Sequence, residues 1–283
     1  MILRQGGVIQ GAAGDKGIST FIDKENPIWR TLRRSSNAGQ HQHEGHRQEG
    51  KRFVGLQSFH SKIMTMTPDK HDRIRRVTLC RQQAAWVMRP RRSVIRMTGA
   101  DRIDLLHRLT TNDMRSVAPG SGRQTVLLTE KARIIDVVTV LQDTDDALLI
   151  GSADTSSDIL SWIRKYVIMD DVRLKDLTDQ MSMIEIMGPR AADVTGDIVG
   201  IDVSDLGMSQ WRKVPSAEGM LVVRTASPSE LSYLIIAPND NVEAIVEELQ
   251  KHSAELPELD EELDEYVRVL AGMGLHGKEW TLS

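Results

Sequence analysis

A single cysteine, Cys80, stands among the 283 residues of this chain. One cysteine excludes an intrachain disulfide framework, and with it any cysteine-rich zinc site built from this chain alone. Aromatic residues make up only 4%, so a core has to be packed mainly from Leu, Ile, Val and Met. No apolar run approaches the roughly 20 residues that a membrane-spanning helix needs. Neither sign of charge is in large excess: 36 Lys and Arg stand against 40 Asp and Glu, for a net charge of −4. That balance removes the bulk electrostatic case for nucleic acid or an anionic membrane as a partner. The part that reads as folded has no phosphate-binding glycine loop, no G-x-S-x-G elbow and no metal-spaced His/Cys set. What is present is ordinary for a globular protein, 40% hydrophobic and 27% charged residues, in a length that suits about two domains.

The chain divides into unlike parts. Residues 1–75 are rich in Gly, Gln, Ser, His and Arg, without sustained helical or strand periodicity. The tract from Ser35 to Gly50 has too little apolar surface to offset chain entropy, and residues 1–75 are expected to form a disordered N-terminal extension. His41, His43, Glu44 and His46 within it read as a solvated polar tract, because a metal site needs a scaffold to fix its geometry. Arginine is frequent, as in a transit peptide, but Asp15, Asp23, Glu25, Glu44 and Glu49 go against that reading. The native start is expected at Met1, Met64 or Met66.

Residues 76–175 read as a first α/β unit. Val94–Met97 is strand-like, and Thr98-Gly99-Ala100-Asp101 starts a helix with Thr98 or Asp101 as its polar cap. Gln124–Leu128, Ile134–Leu141 and Ala147–Ile150 are strand-like, and a helix is expected from Ser156 to Val167. Residues 176–283 read as a second unit. It has a strand at Ser182–Met187, a helix entered through Gly188-Pro189, strands at Met220–Thr225 and Tyr233–Ala237, and a helix from Val242 to His252. This order suggests an α+β fold of ferredoxin-like character. A final helix spans Leu259 to Leu270, with the acidic run from Glu255 to Glu265 on its wet side and Arg268 paired to one of those acids.

Five short motifs occur in order between Val94 and Glu279. They are Met97-Thr98-Gly99-Ala100-Asp101, Leu109-Thr110-Thr111-Asn112-Asp113, the segment from Leu127 to Asp136, Met187-Gly188-Pro189-Arg190-Ala191, and the segment from Val267 to Glu279. Together they resemble the folate-binding domain shared by the glycine-cleavage T-protein, an aminomethyltransferase, and the YgfZ-type iron–sulfur maintenance proteins. The resemblance covers about two-thirds of the chain. It implies an α+β fold of two intertwined α/β subdomains, with tetrahydrofolate or a derivative bound in the hole between them. By resemblance Asn112, Asp113, Lys131, Arg133, Asp136 and Glu230 are the candidate folate-binding residues, with Asp136 as the best catalytic candidate and no metal. The residues themselves leave alternatives open. Asn112 and Asp113 suit a turn after the helix, Lys131 and Arg133 suit a solvated face, and Asp136 suits either the hole or the backbone donors of a strand edge.

The departures from the T-protein matter as much as the matches. Its transfer carboxylate is the second Asp of I-x-D-D-L, and this chain reads Ile134-Ile135-Asp136-Val137-Val138. Valine neither accepts a proton nor holds charge, so transfer by the usual route is not expected. The family's pterin-binding Glu maps to Leu234 and a folate-contacting Arg maps to Asp264. The YgfZ-type branch departs at such positions too, and it is the closer likeness. Its K-G-C-Y-x-G-Q-E signature and the C-terminal barrel are expected to be absent, since the chain stops four residues after Glu279. The resemblance therefore implies a folate-binding accessory protein that supports iron–sulfur client enzymes. The rivals are a tetrahydrofolate-dependent aminomethyltransferase and a scaffold that has lost folate. The expected compartment is the cytoplasm, or the mitochondrial matrix in a eukaryotic host, with neither nucleic acid nor membrane as partner.

Overall fold

A computed structural model describes residues 70–225, 231–253 and 255–279. The polar N-terminal tract, the candidate starts at Met1, Met64 and Met66, and Glu230 lie outside the described residues. Six helices and ten strands occur among them. In chain order they are α1 (Lys70–Gln82), β1 (Ala85–Met88), β2 (Arg92–Thr98), α2 (Arg102–Leu109), β3 (Ser121–Leu128), β4 (Ile134–Gln142), β5 (Asp146–Ala153) and α3 (Ser156–Arg164). There follow β6 (Arg173–Asp176), β7 (Met181–Met187), α4 (Ala191–Val199), β8 (Trp211–Lys213), β9 (Leu221–Thr225), β10 (Ser232–Pro238), α5 (Asn239–Lys251) and α6 (Glu261–Leu270).

The strands form two five-stranded antiparallel sheets, in the orders β3-β4-β5-β2-β6 and β1-β7-β10-β9-β8. Their period-two alternation builds four layers. One face of the first sheet carries Ile95, Val138, Val140 and Leu149 against Leu105 and Leu106 of α2 and Ile159 and Ile163 of α3. The outer face of the second sheet carries Ile184, Ile186, Val222 and Ile235 against α4 and α5. Between the sheets, Val94, Leu141 and Ile150 meet Met183, Trp211, Val223, Leu234 and Ile236 in an apolar seam. Beside that seam, Cys80 of α1, Leu263 of α6 and Leu259 just before α6 cover Ala85, Val87 and Met187. The result is α+β, and among the described residues no strand set closes into a barrel.

The two units interlock. Strand β1 precedes the first sheet in the chain yet pairs with β7 of the second, Ala85 opposite Met187 and Met88 opposite Ile184. Helix α1, at the border of the expected N-terminal extension, packs on α6 nearly 190 residues later and is tied to it by Arg73–Glu262, 2.5 Å apart. Asp101 stands at the N-cap of α2 without capping it; its Oδ2 instead accepts from the Asp171 amide at 2.8 Å. Asp260 does cap α6, accepting from the Leu263 amide at 2.9 Å. Two motif glycines are required sterically. Gly99 has φ +108, and a Cβ there would lie 1.9 Å from the Asp171 carbonyl oxygen. Gly188 has φ +123, with the Cys80 and Gln83 carbonyl oxygens 2.7 Å from such a Cβ. Both admit a backbone approach that any side chain would block.

Candidate functional site

The segment that resembles the family's transfer motif lies in β4. Register fixes its faces. Asp136 pairs with Leu127 and Val140 with Leu149, on the face packed against α2 and α3. Val137 pairs with Val126 and Thr139 with Ile150, on the face toward the seam. Adjacent residues of a strand point oppositely, so Asp136 and Val137 stand back to back across the sheet. Val126 and Val137 are half-buried, whereas Val94 and Leu141 of the same face are buried.

Asp136 is 0% exposed. Its Oδ1 accepts from the Val137 amide at 2.8 Å and the Ser152 hydroxyl at 2.6 Å. Its Oδ2 accepts from the Ser152 amide at 2.8 Å and the Thr155 hydroxyl at 2.7 Å. Thr155 is in turn 3.0 Å from the Ser93 hydroxyl. A buried carboxylate is stable there because donors surround it. This network joins β4 to β5, β2 and the start of α3.

The other expected folate residues are distributed over separate places. Asn112 and Asp113 lie in the exposed loop after α2, along the edge strand β3. Asn112 donates from Nδ2 to the Gln124 carbonyl at 2.6 Å, and its amide donates to the Thr125 hydroxyl at 3.1 Å. Asp113 Oδ1 accepts from the Arg115 amide at 3.0 Å and lies 3.1 Å from His107 Nδ1. The Ser116 hydroxyl, with the Arg115 amide and His107, holds the Asp113 carboxyl below its ordinary range. Lys131 and Arg133 are exposed at the tip of the β3–β4 hairpin, and neither forms an ion pair among the described residues. That tip is braced by Tyr166, whose hydroxyl donates to Glu130 at 2.9 Å. Arg268 is buried and pairs with Glu265 at 2.8 Å and Glu279 at 2.9 Å, so the acidic helix supplies one of its two partners.

Sequence reasoning did not single out a polar cluster at the junction of the seam and the α1–α6 cover. Glu185 of β7 shares the inner face with Met183 and lies opposite Leu234 in the register. Arg89 donates from Nε to Glu185 Oε2 at 2.6 Å and from Nη1 to Asp264 Oδ2. Thr225 donates to Glu185 Oε1 at 3.3 Å. Asp264 Oδ1 is buried and accepts from no group among the described residues. Burial pulls the Arg89 pKa down, but Glu185 and Asp264 outweigh it and hold the guanidinium charged above its ordinary range. Nearby, burial pushes the Cys80 thiol up to about 11, with Arg81 opposing and Asp264 and Glu185 adding to the rise. The signal that could have revealed the cluster is one carboxylate at an inner position of the otherwise apolar strand Met181–Met187. Among the described residues no three His, Cys, Asp or Glu side chains group as metal ligands, and no helix is long and apolar enough to cross a membrane.

Comparison with known proteins agrees with this architecture. The chain is 26% identical over 184 residues to an aminomethyltransferase of Staphylococcus carnosus (strain TM300), covering 64% of this chain and 50% of that protein. It thus spans half the length of that relative. The crystal structure of the glycine cleavage system aminomethyltransferase T from Bartonella henselae superposes with a TM-score of 0.68 at 19% identity, over 75% of this chain and 57% of that one. The fold is therefore shared with that aminomethyltransferase. The family described as the GCVT N-terminal domain matches residues 70–262, about two-thirds of the chain and all ten strands of the two sheets, and to that family this protein belongs.

Proposed function

We propose that this protein binds a reduced folate at the seam between its sheets and acts as an accessory protein, not as an aminomethyltransferase. The observation that carries this is the Asp136–Val137 pair. Aminomethyl transfer to folate needs a carboxylate beside the reacting nitrogens, to orient them and to stabilise positive charge. On the seam face this chain offers Val137. The neighbouring carboxylate, Asp136, hangs on the opposite face, and each of its oxygens already takes a backbone amide and a hydroxyl. Asp136 is thus a positioning residue for β4 and α3.

The residues present fit a folate. Val126 and Val137 give a half-buried apolar surface on which a flat ring stacks. Thr225, Glu185 and Asp264 add polar acceptors, and the buried Asp264 Oδ1 has no donor among the described residues, which a ring N–H would supply. Lys131 and Arg133, at the hairpin tip beyond Val126 and Val137, offer cations to an anionic folate tail. Asn112 and Asp113 shape the adjoining edge of β3, and Glu230 keeps its place as a folate contact on the resemblance alone. The accessory role toward iron–sulfur client enzymes rests on the likeness to the YgfZ-type branch, which also departs from the T-protein at the transfer position.

Two assays test the proposal together. Calorimetric titration with 5-formyltetrahydrofolate is expected to give micromolar binding, and an aminomethyl-transfer assay with tetrahydrofolate no turnover. Turnover by the wild-type protein overturns the accessory reading. Absence of binding at millimolar folate overturns the folate reading and leaves the scaffold rival.

A further inference from the structure

We propose that Glu185, Arg89 and Asp264 are a relocated polar seat for the donor edge of the bound heterocycle, such as the 2-amino-4-oxo edge of a pterin. The proposal rests on the folate reading above and names the residues that would give it specificity. Four observations bear on it.

Glu185 faces the seam. In the β7–β10 register it pairs with Leu234, and both lie on the face that carries Met183 and Ile236. Paired residues on one face of an antiparallel sheet have Cβ atoms about 5 Å apart. The carboxylate that the resemblance places at position 234 is therefore found one strand over. Asp264 is the second case. The resemblance expects a cation there, and the chain instead has a carboxylate bonded to the guanidinium of Arg89. Each charge that the family pattern lacks here has a like charge at the adjoining position, and the two substitutes bond each other through Arg89 Nε and Glu185 Oε2 at 2.6 Å.

The cluster is also incompletely satisfied. Arg89 ties up Asp264 Oδ2, yet Asp264 Oδ1 is buried without a donor among the described residues. A buried acceptor with no donor is destabilising, and a cluster that served only to clamp α6 to the sheet has no use for it. Finally, the side chains are accessible in a graded way: 7% for Glu185, 18% for Arg89 and 20% for Asp264. The cluster thus closes the seam at Glu185 and opens to solvent at Asp264. A ligand edge with adjacent N–H donors would complete it, with one donor to Asp264 Oδ1 and another shared with Glu185. The guanidinium, bonded to both side chains, holds the two carboxyl groups in place.

The test is titration of 5-formyltetrahydrofolate against the full chain, with the thermal midpoint measured in parallel. Variants are Asp264→Asn, Glu185→Gln, and the double exchange Glu185→Leu with Leu234→Glu, which returns the carboxylate to β10. Expected results are at least tenfold weaker binding for each single variant and partial recovery in the exchange, with ligand-induced stabilisation lost in parallel. Tight binding by the wild type that both single variants retain, at whatever thermal midpoint, reduces the cluster to a structural clamp and overturns the seat while leaving the folate reading intact. No binding by the wild type overturns both.

Discussion

Replacing Asp136 separates a structural from a chemical role for that residue. Each of its oxygens accepts one backbone amide, Val137 on Oδ1 and Ser152 on Oδ2, and amides cannot rotate away as hydroxyls can. In Asp136→Ala both amides and the Ser152 hydroxyl lose this acceptor inside a fully buried site. At about 1–3 kcal/mol per stranded donor, less the relief of no longer burying a charge, the loss comes to about 3 kcal/mol. Asp136→Asn is the sharper test. Whichever way the amide is flipped, its NH2 faces a backbone N–H, so the near-isosteric change should cost almost as much as alanine. For a domain of this size 3 kcal/mol lowers the thermal midpoint by about 6–12 °C. Urea denaturation followed by tryptophan fluorescence reads both variants through the buried Trp86, Trp162 and Trp211. An Asn variant within about 0.5 kcal/mol of wild type would refute the reasoning. It would mean that the carboxylate is held for chemistry and not for the fold.

Three further outcomes follow from the same geometry. Gly99→Ala combines φ +108 with a Cβ only 1.9 Å from the Asp171 oxygen; a loss of at least about 2 kcal/mol in the same denaturation assay is expected, and a neutral result would contradict the close approach. Cys80, its thiol pushed up to about 11 by burial, should carry roughly a hundredfold less thiolate at pH 8 than a free cysteine. Iodoacetamide mass labelling should therefore modify it only after denaturation; rapid labelling of the native protein would show the thiol to be exposed and activated. The Glu265 carboxyl is held down to about 2 by the side-chain bonds from Arg268 and Lys278. A depressed carboxylate pKa stabilises above the unfolded value, near 4.3, and that contribution is lost as pH falls toward about 2. Hydrogen-exchange protection of residues 271–279 should hold at pH 5 and decline through that window, and protection that persists unchanged to pH 2 would sink the assignment.

Elements with a local pattern were legible in the sequence. The strands β2, β7, β9 and β10 and the helices α5 and α6 appear within a few residues of where periodicity puts them. Elements defined by distant partners were not. Helix α1, with the sequence KHDRIRRVTLCRQ, has a weak apolar stripe and gains its place from α6. Strand β1 is four residues long and belongs to the second sheet only because β7, about a hundred residues later, supplies its ladder. The three-residue β8 likewise exists through pairing with β9. The same division holds for the site. A Val at position 137 is visible in the sequence, but the side of the sheet on which Asp136 then falls depends on register. Glu185 is visible as a charge in an apolar strand, while its bonds to Arg89, and through Arg89 to Asp264, need three distant segments to meet.

The two positions of the Asp136–Val137 pair are under different physical demands, although they are adjacent. The first is enforced by the fold, because the amides of Val137 and Ser152 and the hydroxyls of Ser152 and Thr155 converge on one buried point that only a carboxylate satisfies. The second faces the seam, half-buried beside apolar residues, where an apolar side chain lowers the desolvation cost of closing the sheets. A strand separates such demands cleanly, since its two-residue period sends neighbours to opposite faces. If transfer chemistry were lost while the architecture stayed under constraint, the first Asp would be kept and the second would drift to a small apolar residue. The Asp136–Val137 sequence has that form. The family resemblance in this segment is therefore carried by a residue that holds the sheet together, and it is no evidence that the reaction is retained.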